Sequence, residues 1–532
     1  MSSIDMKKAI STAQLVPVAL AMVGLLLTTA APAAVPGITG PTFNLVATPE
    51  FVTQPDGNFV YSWGYGCDAL NPPAAFVPAN VSASGTCSAM QVPGPTLIVT
   101  EGQTVTVNLT NNLPTSAGNT SILFPGFTLT SATGAQGLLT KEAAPGLTAQ
   151  YQFTATTPGT HTYYSGTQGD LQIDMGLYGA IIVLPNNVPA ACDAGVHASN
   201  VTAQAASSVH TVAELDNRLA HAAYDHAGTC YDREYLFQFS EMDLRMHREA
   251  EEQVAACGAT AGCTLHVATE PYFPTYFMIN GRSMPDNMDG AYVPQYPHQP
   301  YNGNPHMHPG ELTLLRIIGT GRWQHPFHEH GNHVRILARD GNLILSQSDV
   351  NSLAGPLLFT TTTTPGVTMD GIFEWTGKGV NWDVYGHNPA SGDTNAKLPC
   401  DADSNGYNTA HPTAINYFEW CQDHNKPLQK APFGDVGGGG PVTLPDPTLF
   451  ALGAWWGGSP YLGPNATTRA VGSTGTTPPS GTVANSPSEE AGFAFMWHSH
   501  NEREITTNNI FPGGMLMMML VDSREFVIDE TK

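Results

Sequence analysis

Two short histidine runs carry the chemistry open to this sequence: HPFHEHGNH, from His325 to His333, and WHSH, from Trp497 to His500. Side chains alternate faces along a strand, so His328 and His330 point one way and His325 the other. By the same parity His498 and His500 share a face, and Ser499 takes the opposite one. If the two segments are neighbouring strands, four imidazoles converge on one side while His325 and Ser499 meet on the other. A lone histidine pair on a strand is more often a satisfied polar pair than a ligand set. Two i, i+2 pairs bracketed by Trp, Phe and Gly shift the balance toward a transition metal, because imidazole suits Cu, Zn, Fe or Ni and hard ions seek oxygen. Glu329 and Glu504 are carboxylates able to orient such ligands from outside. The fragment PHMHPGE adds His306 and His308 as accessory candidates, although a solvated loop is its plainer reading. His333 and the thioethers of Met284, Met288 and Met515 join that accessory set, while MLMMML reads first as an apolar final strand.

Strands must position these residues. Charged residues are only 12% of the chain, Gly (54) and Pro (42) are plentiful, and Thr-rich alternating segments recur, the composition of a turn-rich β protein. TLIVTEGQTVTVNLTNNL, Thr96 to Leu113, alternates on both sides of a Glu-Gly turn and predicts two strands joined by a hairpin or by a bend between sheets. Strands at Tyr151 to Ala155, Thr160 to Tyr164 and Tyr178 to Leu184 complete a first sandwich over residues 40–187. Residues 188–230 are expected to form a linker, with weak helical potential from Val209 to Ala222. A second series supplies a second sandwich over residues 231–532: Glu234 to Glu241, Thr275 to Asn280, Glu311 to Ile318, His325 to Arg339, Leu357 to Thr364, Gly371 to Trp375, Ala494 to His500 and Met515 to Asp522. Insertions near 243–270 and 380–490 interrupt it.

Residues 1–34 place Lys7 and Lys8 before an apolar run and then small residues, the pattern of an export signal, so a periplasmic or extracellular protein is expected. That run is shorter than the roughly 20 residues of a membrane span, and no later segment is long and apolar enough to be one. A formal charge of −24 argues against nucleic acid or an anionic membrane surface as partner. Eight cysteines in an exported chain suit disulfides. The short gaps Cys67 to Cys87, Cys192 to Cys230, Cys257 to Cys263 and Cys400 to Cys421 favour pairing between sequence neighbours, among about a hundred connectivities that remain open.

HPFHEHGNH followed far downstream by HSH resembles the last cupredoxin domain of multicopper oxidases, the laccase-like family, whose pattern is HPxHxHGH and then HCHxxxH. PGPTLIVTEGQTVTVNLTNNL (Pro93 to Leu113) and GLYGAIIV (Gly176 to Val183) are similar to landmarks of that family's first domain. The resemblance implies an all-β fold of tandem cupredoxin (Greek-key β-sandwich) domains with long loop insertions, copper as cofactor, and a small-molecule electron donor if the protein is an enzyme. It also implies a type 1 copper that takes electrons and a trinuclear cluster held by histidines from both domains.

Against that pattern most ligands are replaced. Where the family has T-S-I-H-W-H-G this chain runs from Thr120 to Gly126, with Leu123 and Pro125 at the ligand positions. Where it has G-T-x-W-Y-H-S-H the ligand positions hold Tyr164 and Gly166, and His161 lies outside them. The type 1 Cys is Ser499, the second type 1 His is Glu504, and Met515 is the nearest axial candidate. His328, His330, His498 and His500 correspond to cluster ligands and His325 to a type 1 ligand. The expectation is an exported protein that binds copper or another transition metal without laccase-type reduction of dioxygen to water. Zinc in place of copper, a metal-free cupredoxin scaffold, and an active oxidase with replacement ligands are the alternatives.

Overall fold

The computed structural model describes residues 35–73, 75–78, 87–194, 215–376, 378, 400–410, 417–418, 420–421, 458–462, 491–522 and 528. The segment read as an export signal, residues 209–214 of the stretch assigned weak helical potential, and most of the 380–490 insertion lie outside them; residues 215–222 of that stretch are described and are not helical.

Alternation makes the strands: in Thr104–Asn111, Val105, Val107 and Leu109 are buried while the intervening side chains face outward. Two five-stranded sheets form first. One orders Gly159–Tyr164, Tyr178–Leu184, Leu97–Thr100, Gly37–Thr39 and Phe76–Val77. The other orders Phe59–Cys67, Thr42–Thr53, Thr104–Asn111, Thr148–Thr154 and Leu129–Thr133. Leu97–Thr100 and Thr104–Asn111 fall in different sheets, so the Glu101–Gly102 turn is the bend and not a hairpin; Gly102 adopts φ +81°, where glycine is favoured. Thr42–Thr53 and Phe59–Cys67 were not expected. Phe59–Cys67 is buried almost throughout and so offers no alternation to read. Trp63, Tyr65, Tyr151 and Phe153 pack in the core these sheets share.

A seven-stranded sheet orders Tyr276–Ile279, Arg233–Met242, Leu312–Gly319, Thr368–Glu374, Val334–Arg339 and Asn342–Leu343, with Leu357–Leu358 paired to Val334–Arg339. A six-stranded sheet orders His306–Met307, Leu516–Asp522, Ala491–Ser499, His325–Glu329 and Thr360–Thr363, with Gly458–Leu462 paired to Ala491–Ser499. Phe237, Phe327, Phe373, Phe495 and Trp497 form their core. The single strand expected from His325 to Arg339 is two strands in different sheets, because Gly331, at φ +101°, turns the chain between them. The expected strand from Leu357 to Thr364 divides between sheets in the same way.

Helix Leu244–Cys257 was also not expected. Asp243 caps it by accepting from the Arg245 N–H at 2.9 Å, and Gly258, at φ +50°, ends it. Its buried stripe is only Met246, His247, Ala250 and Cys257, too sparse to read as an apolar period. Met246, Ala250 and Tyr272 join the core of the first pair of sheets, so the stretch read as an interruption of the second sandwich packs into the first. All eight cysteines pair as sequence neighbours: Cys67–Cys87, Cys192–Cys230, Cys257–Cys263 and Cys400–Cys421. No described helix is long and apolar enough to cross a membrane.

The two pairs of sheets meet at a buried polar joint. Asp370 accepts from the Thr160 N–H (3.0 Å), Thr160 Oγ1 (2.6 Å) and Tyr224 Oη (2.5 Å). Arg316 lies 3.8 Å from Asp370 and 2.9 Å from Glu234, all of them buried. Removing Asp370 leaves a guanidinium with one fewer counter-charge and two hydroxyls without an acceptor in low dielectric. Asp370→Ala is therefore expected to destabilise the protein by about 3–5 kcal/mol in equilibrium urea unfolding.

Candidate metal centre

Strands His325–Glu329 and Ala491–Ser499 pair antiparallel, with His328 opposite His498, Phe327 opposite Ser499 and Glu329 opposite Trp497. Period-two alternation then puts His328 and His498 on one face, and Phe327, Glu329, Trp497 and Ser499 on the other. His330 lies just past its strand end, where the Trp497 indole N–H donates to its carbonyl at 2.9 Å. His328, His330 and His498 each bring one ring nitrogen within 4.8 Å of the others. His498 Nε2 and His330 Nε2 face each other at 3.3 Å. His500 stands at the rim: it is exposed, with ring centroids 4.8 Å from His328 and 5.5 Å from His498. The structure thus brings three of the four histidines into one tight group and leaves the fourth beside it, toward solvent.

Two of the three rings are held from behind. His498 Nδ1 donates to the Ser499 carbonyl at 2.7 Å, which leaves Nε2 as the lone-pair nitrogen. His328 Nδ1 lies 2.7 Å from Thr360 Oγ1. Thr360 was missed, since one threonine in the run from Thr360 to Thr364 gives no signal of facing a ring 32 residues away. The expected carboxylate Glu329 does not serve, because parity turns it into the core. There Thr361 Oγ1 donates to it at 2.6 Å, and burial pushes its carboxyl up to about 8. Burial, followed by the neighbouring imidazoles, pushes His328 down to about 3, and burial likewise lowers His498. At neutral pH both rings are neutral and present lone pairs.

On the opposite face His325 is clamped. Its Nε2 lies 2.9 Å from Glu241 Oε2, and its Nδ1 lies 2.9 Å from Glu504 Oε2 as an ion-pair contact off the hydrogen-bond line. Ser499 Oγ donates to Glu504 Oε2, and Asn501 Nδ2 donates to Glu504 Oε1 at 2.8 Å. Burial alone would discharge His325, but the flanking carboxylates outweigh it and push the imidazole up to about 9. A type 1 copper does not fit here: there is no thiolate, and both nitrogens of His325 face carboxylates. Glu504 belongs to this cluster and not to the outer partners of His328 and His498. Glu241 was missed, though an acidic residue inside the buried strand REYLFQFSEM was a readable signal. Met515 packs in the second core and meets this loop through its backbone, its carbonyl accepting from Ser499 N at 2.9 Å and its N–H donating to Glu504 at 2.8 Å.

The first-domain positions do not fit a copper cluster either. Leu123 and Tyr164 form an antiparallel bridge, and a Cβ built on Gly166 would stand 2.8 Å from Leu123 Cγ, so a histidine there would meet the leucine that fills the space. Pro125 lies in the same turn. His161 packs on Phe127, ring centroids 4.5 Å apart, and its Nε2 lies 2.9 Å from the Thr157 carbonyl. The accessory residues fall elsewhere. His306 Nδ1 lies 2.6 Å from Asp522 Oδ2 and His308 Nδ1 lies 2.9 Å from the Asp522 carbonyl, both buried where His306–Met307 joins the sheet. His333 stacks edgewise on Phe359 at 5.1 Å. Met284 donates its N–H to the Gly514 carbonyl, and Met288 sulfur lies 3.4 Å from Met518 N.

A family model described as multicopper oxidase matches residues 75–188. The multicopper oxidase MCE of Talaromyces pinophilus is 38% identical over 103 residues, 19% of this chain and 16% of that protein. The L-ascorbate oxidase of Brassica rapa subsp. pekinensis is 40% identical over 99 residues, 18% of this chain and 16% of that protein. The chain therefore matches only 16% of the length of these relatives. Among solved structures, the multicopper oxidase mgLAC superposes with a TM-score of 0.44 at 15% identity, over 92% of this chain and 88% of that one. A blue copper oxidase from Nitrosomonas europaea gives 0.42 at 15% identity, over 90% and 85%.

Proposed function

We propose that this chain, which is multicopper oxidase-like in its first-domain sequence and its cupredoxin fold, is an exported transition-metal-binding protein whose His328, His330 and His498 hold one ion, copper by kinship. Residues 40–187 and 231–532 serve as its two cupredoxin domains, and the leader and the four disulfides support export to a periplasmic or extracellular setting.

The observation that carries the reading is the convergence of His328, His330 and His498, one ring nitrogen each within 4.8 Å of the others, with His330 and His498 Nε2 3.3 Å apart at hydrogen-bond distance. Two imidazole nitrogens bound at about 2.0–2.1 Å to one tetrahedral ion stand about 3.3 Å apart. His328 completes a three-nitrogen set, and burial keeps the rings of His328 and His498 neutral before binding. A bound ion would supply a Lewis acid, and copper a one-electron centre as well. The chain's part is to hold three lone pairs together, fix two of the rings through Thr360 and the Ser499 carbonyl, and leave His500 at the open rim. Elemental analysis of the purified protein tests this. About one equivalent of copper or zinc is expected, and none would turn the reading to a metal-free cupredoxin scaffold.

A second expectation separates this reading from an active blue oxidase. With Ser499 in place of the thiolate and His325 clamped between carboxylates, the copper-loaded protein should lack an intense blue absorption band. Visible absorption and electron paramagnetic resonance of one preparation check it, and a strong blue band would contradict the absence of a cysteinyl copper site.

A further inference from the structure

We propose that the position corresponding to the type 1 copper is a proton store for the histidine cluster: a divalent cation arriving at His328, His330 and His498 expels one proton from the Glu241–His325–Glu504 group to solvent at the Asn501 rim. This rests on metal binding at that cluster. One cation enters, one proton leaves, and no electron moves.

The two groups stand back to back on one strand pair. His325 precedes His328 by three positions and faces the other side, and Ser499, which donates to Glu504, sits between His498 and His500. A cation added on one face disfavours the imidazolium on the other. Its proton has an acceptor at each end: Glu241 at 2.9 Å and Glu504 at 2.9 Å. From Glu504 the way out is short, since exposed Asn501 donates to Glu504 through its side chain and to Ser499 Oγ through its N–H.

Inward, the same network continues. Tyr272 Oη lies 3.3 Å from Glu241 Oε1 and donates to Asp174 Oδ2 at 2.5 Å. Asp174 Oδ1 lies 3.1 Å from His247 Nε2, and His247 Nδ1 meets the Tyr61 carbonyl at 2.5 Å. Asp243 joins through its N–H to Asp174. Glu241 also accepts the Arg322 and Trp323 N–H groups at 2.5 and 2.8 Å, while the Arg322 guanidinium lies over the Tyr272 ring at 4.0 Å. Two buried carboxylates, two imidazoles and a phenol thus share one hydrogen-bonded run, with Glu504 in ion-pair contact at its end, so the negative charge left by a departing proton is spread over several groups and balanced by the arriving cation. A merely structural ion pair would hold His325 equally well, but it would not release its proton when the far face of the strand gains charge.

The test is calorimetric titration of Zn(II), a redox-inert probe, into the full-length metal-free protein, in buffers of different ionisation enthalpy. At pH 8 an imidazole ligand binds zinc in its neutral form, so the proton comes from the clamp: wild type is expected to release about one proton per zinc at pH 8. Glu241→Gln, or Glu504→Gln if the first variant does not fold, is expected to cut the release at pH 8 by more than half. Zinc that binds wild type without proton release at pH 8 overturns the proposal and leaves the metal-binding reading standing. Release undiminished in the folded variants overturns it too, since the proton then comes from metal-bound water. Zinc that does not bind removes the metal-binding reading, and the proposal falls with it.

Discussion

Alanine at His498 is expected to lower the affinity for copper(II) by at least the roughly hundredfold that changes outside a ligand set reach at their upper end. His498 is the most pre-organised of the three ligands: strand pairing sets it opposite His328, its Nδ1 is spent on the Ser499 carbonyl, and its Nε2 already faces His330. Its loss leaves two nitrogens and a gap that water fills. Alanine at His500 should cost far less, under about tenfold, because an exposed ring must give up freedom to reach the ion. Thr360→Val falls between them, at about 10- to 100-fold, through the ring orientation of His328. Competition titrations against a chelator of known affinity, with circular dichroism to establish folding, give the order of the three variants. Equal losses at His498 and His500 would instead mean that four histidines bind alike.

The part of this site that could be read in advance was the part governed by strand parity. Alternation is rigid, so placing His328 with His498 and His325 with Ser499 needed only the assumption that the two segments are neighbours. Which partner each distant element supplies could not be read. An acidic residue in a buried strand marked Glu241, but not that this strand of the other sheet faces His325, and Thr360 belongs to a threonine run in which no member differs from its neighbours. The family pattern aligned Ser499 and Glu504 as ligand positions but presented them only as two losses. In the fold they are one replacement, because the serine hydroxyl donates to the glutamate, which in turn faces the remaining histidine. Among the elements, the alternating strands of the first sandwich were legible. Phe59–Cys67, buried on both faces, and helix Leu244–Cys257, with its sparse buried stripe, were not. The turn at Gly331 was hidden because His325 to Arg339 reads as one continuous strand by composition.

The same clamp makes the metal-free protein less stable as pH rises above about 6.5. His325 stands at about 9 in the folded chain against 6.5 when exposed, so the native state binds a proton that the unfolded state has shed. Its contribution is fully present below pH 6.5 and is lost as pH climbs through 9; at 1.36 kcal/mol per unit that is about 3 kcal/mol. Glu329 acts in the same direction, because a carboxyl raised from 4.5 to about 8 favours the fold below pH 4.5 and loses that advantage through pH 8. His328, depressed to about 3, works oppositely and destabilises the fold as pH falls from 6.5. Stability should therefore peak in the mildly acidic range and fall most steeply between pH 6.5 and 8, where His325 and Glu329 pull together. Urea unfolding at pH 5.5, 7 and 9 measures the fall, and Glu329→Gln should flatten the part below pH 8 while leaving the part above it. Stability that holds level from pH 6.5 to 9 would mean that His325 is neutral between its two carboxylates, and the charge assigned to the clamp would have to be withdrawn.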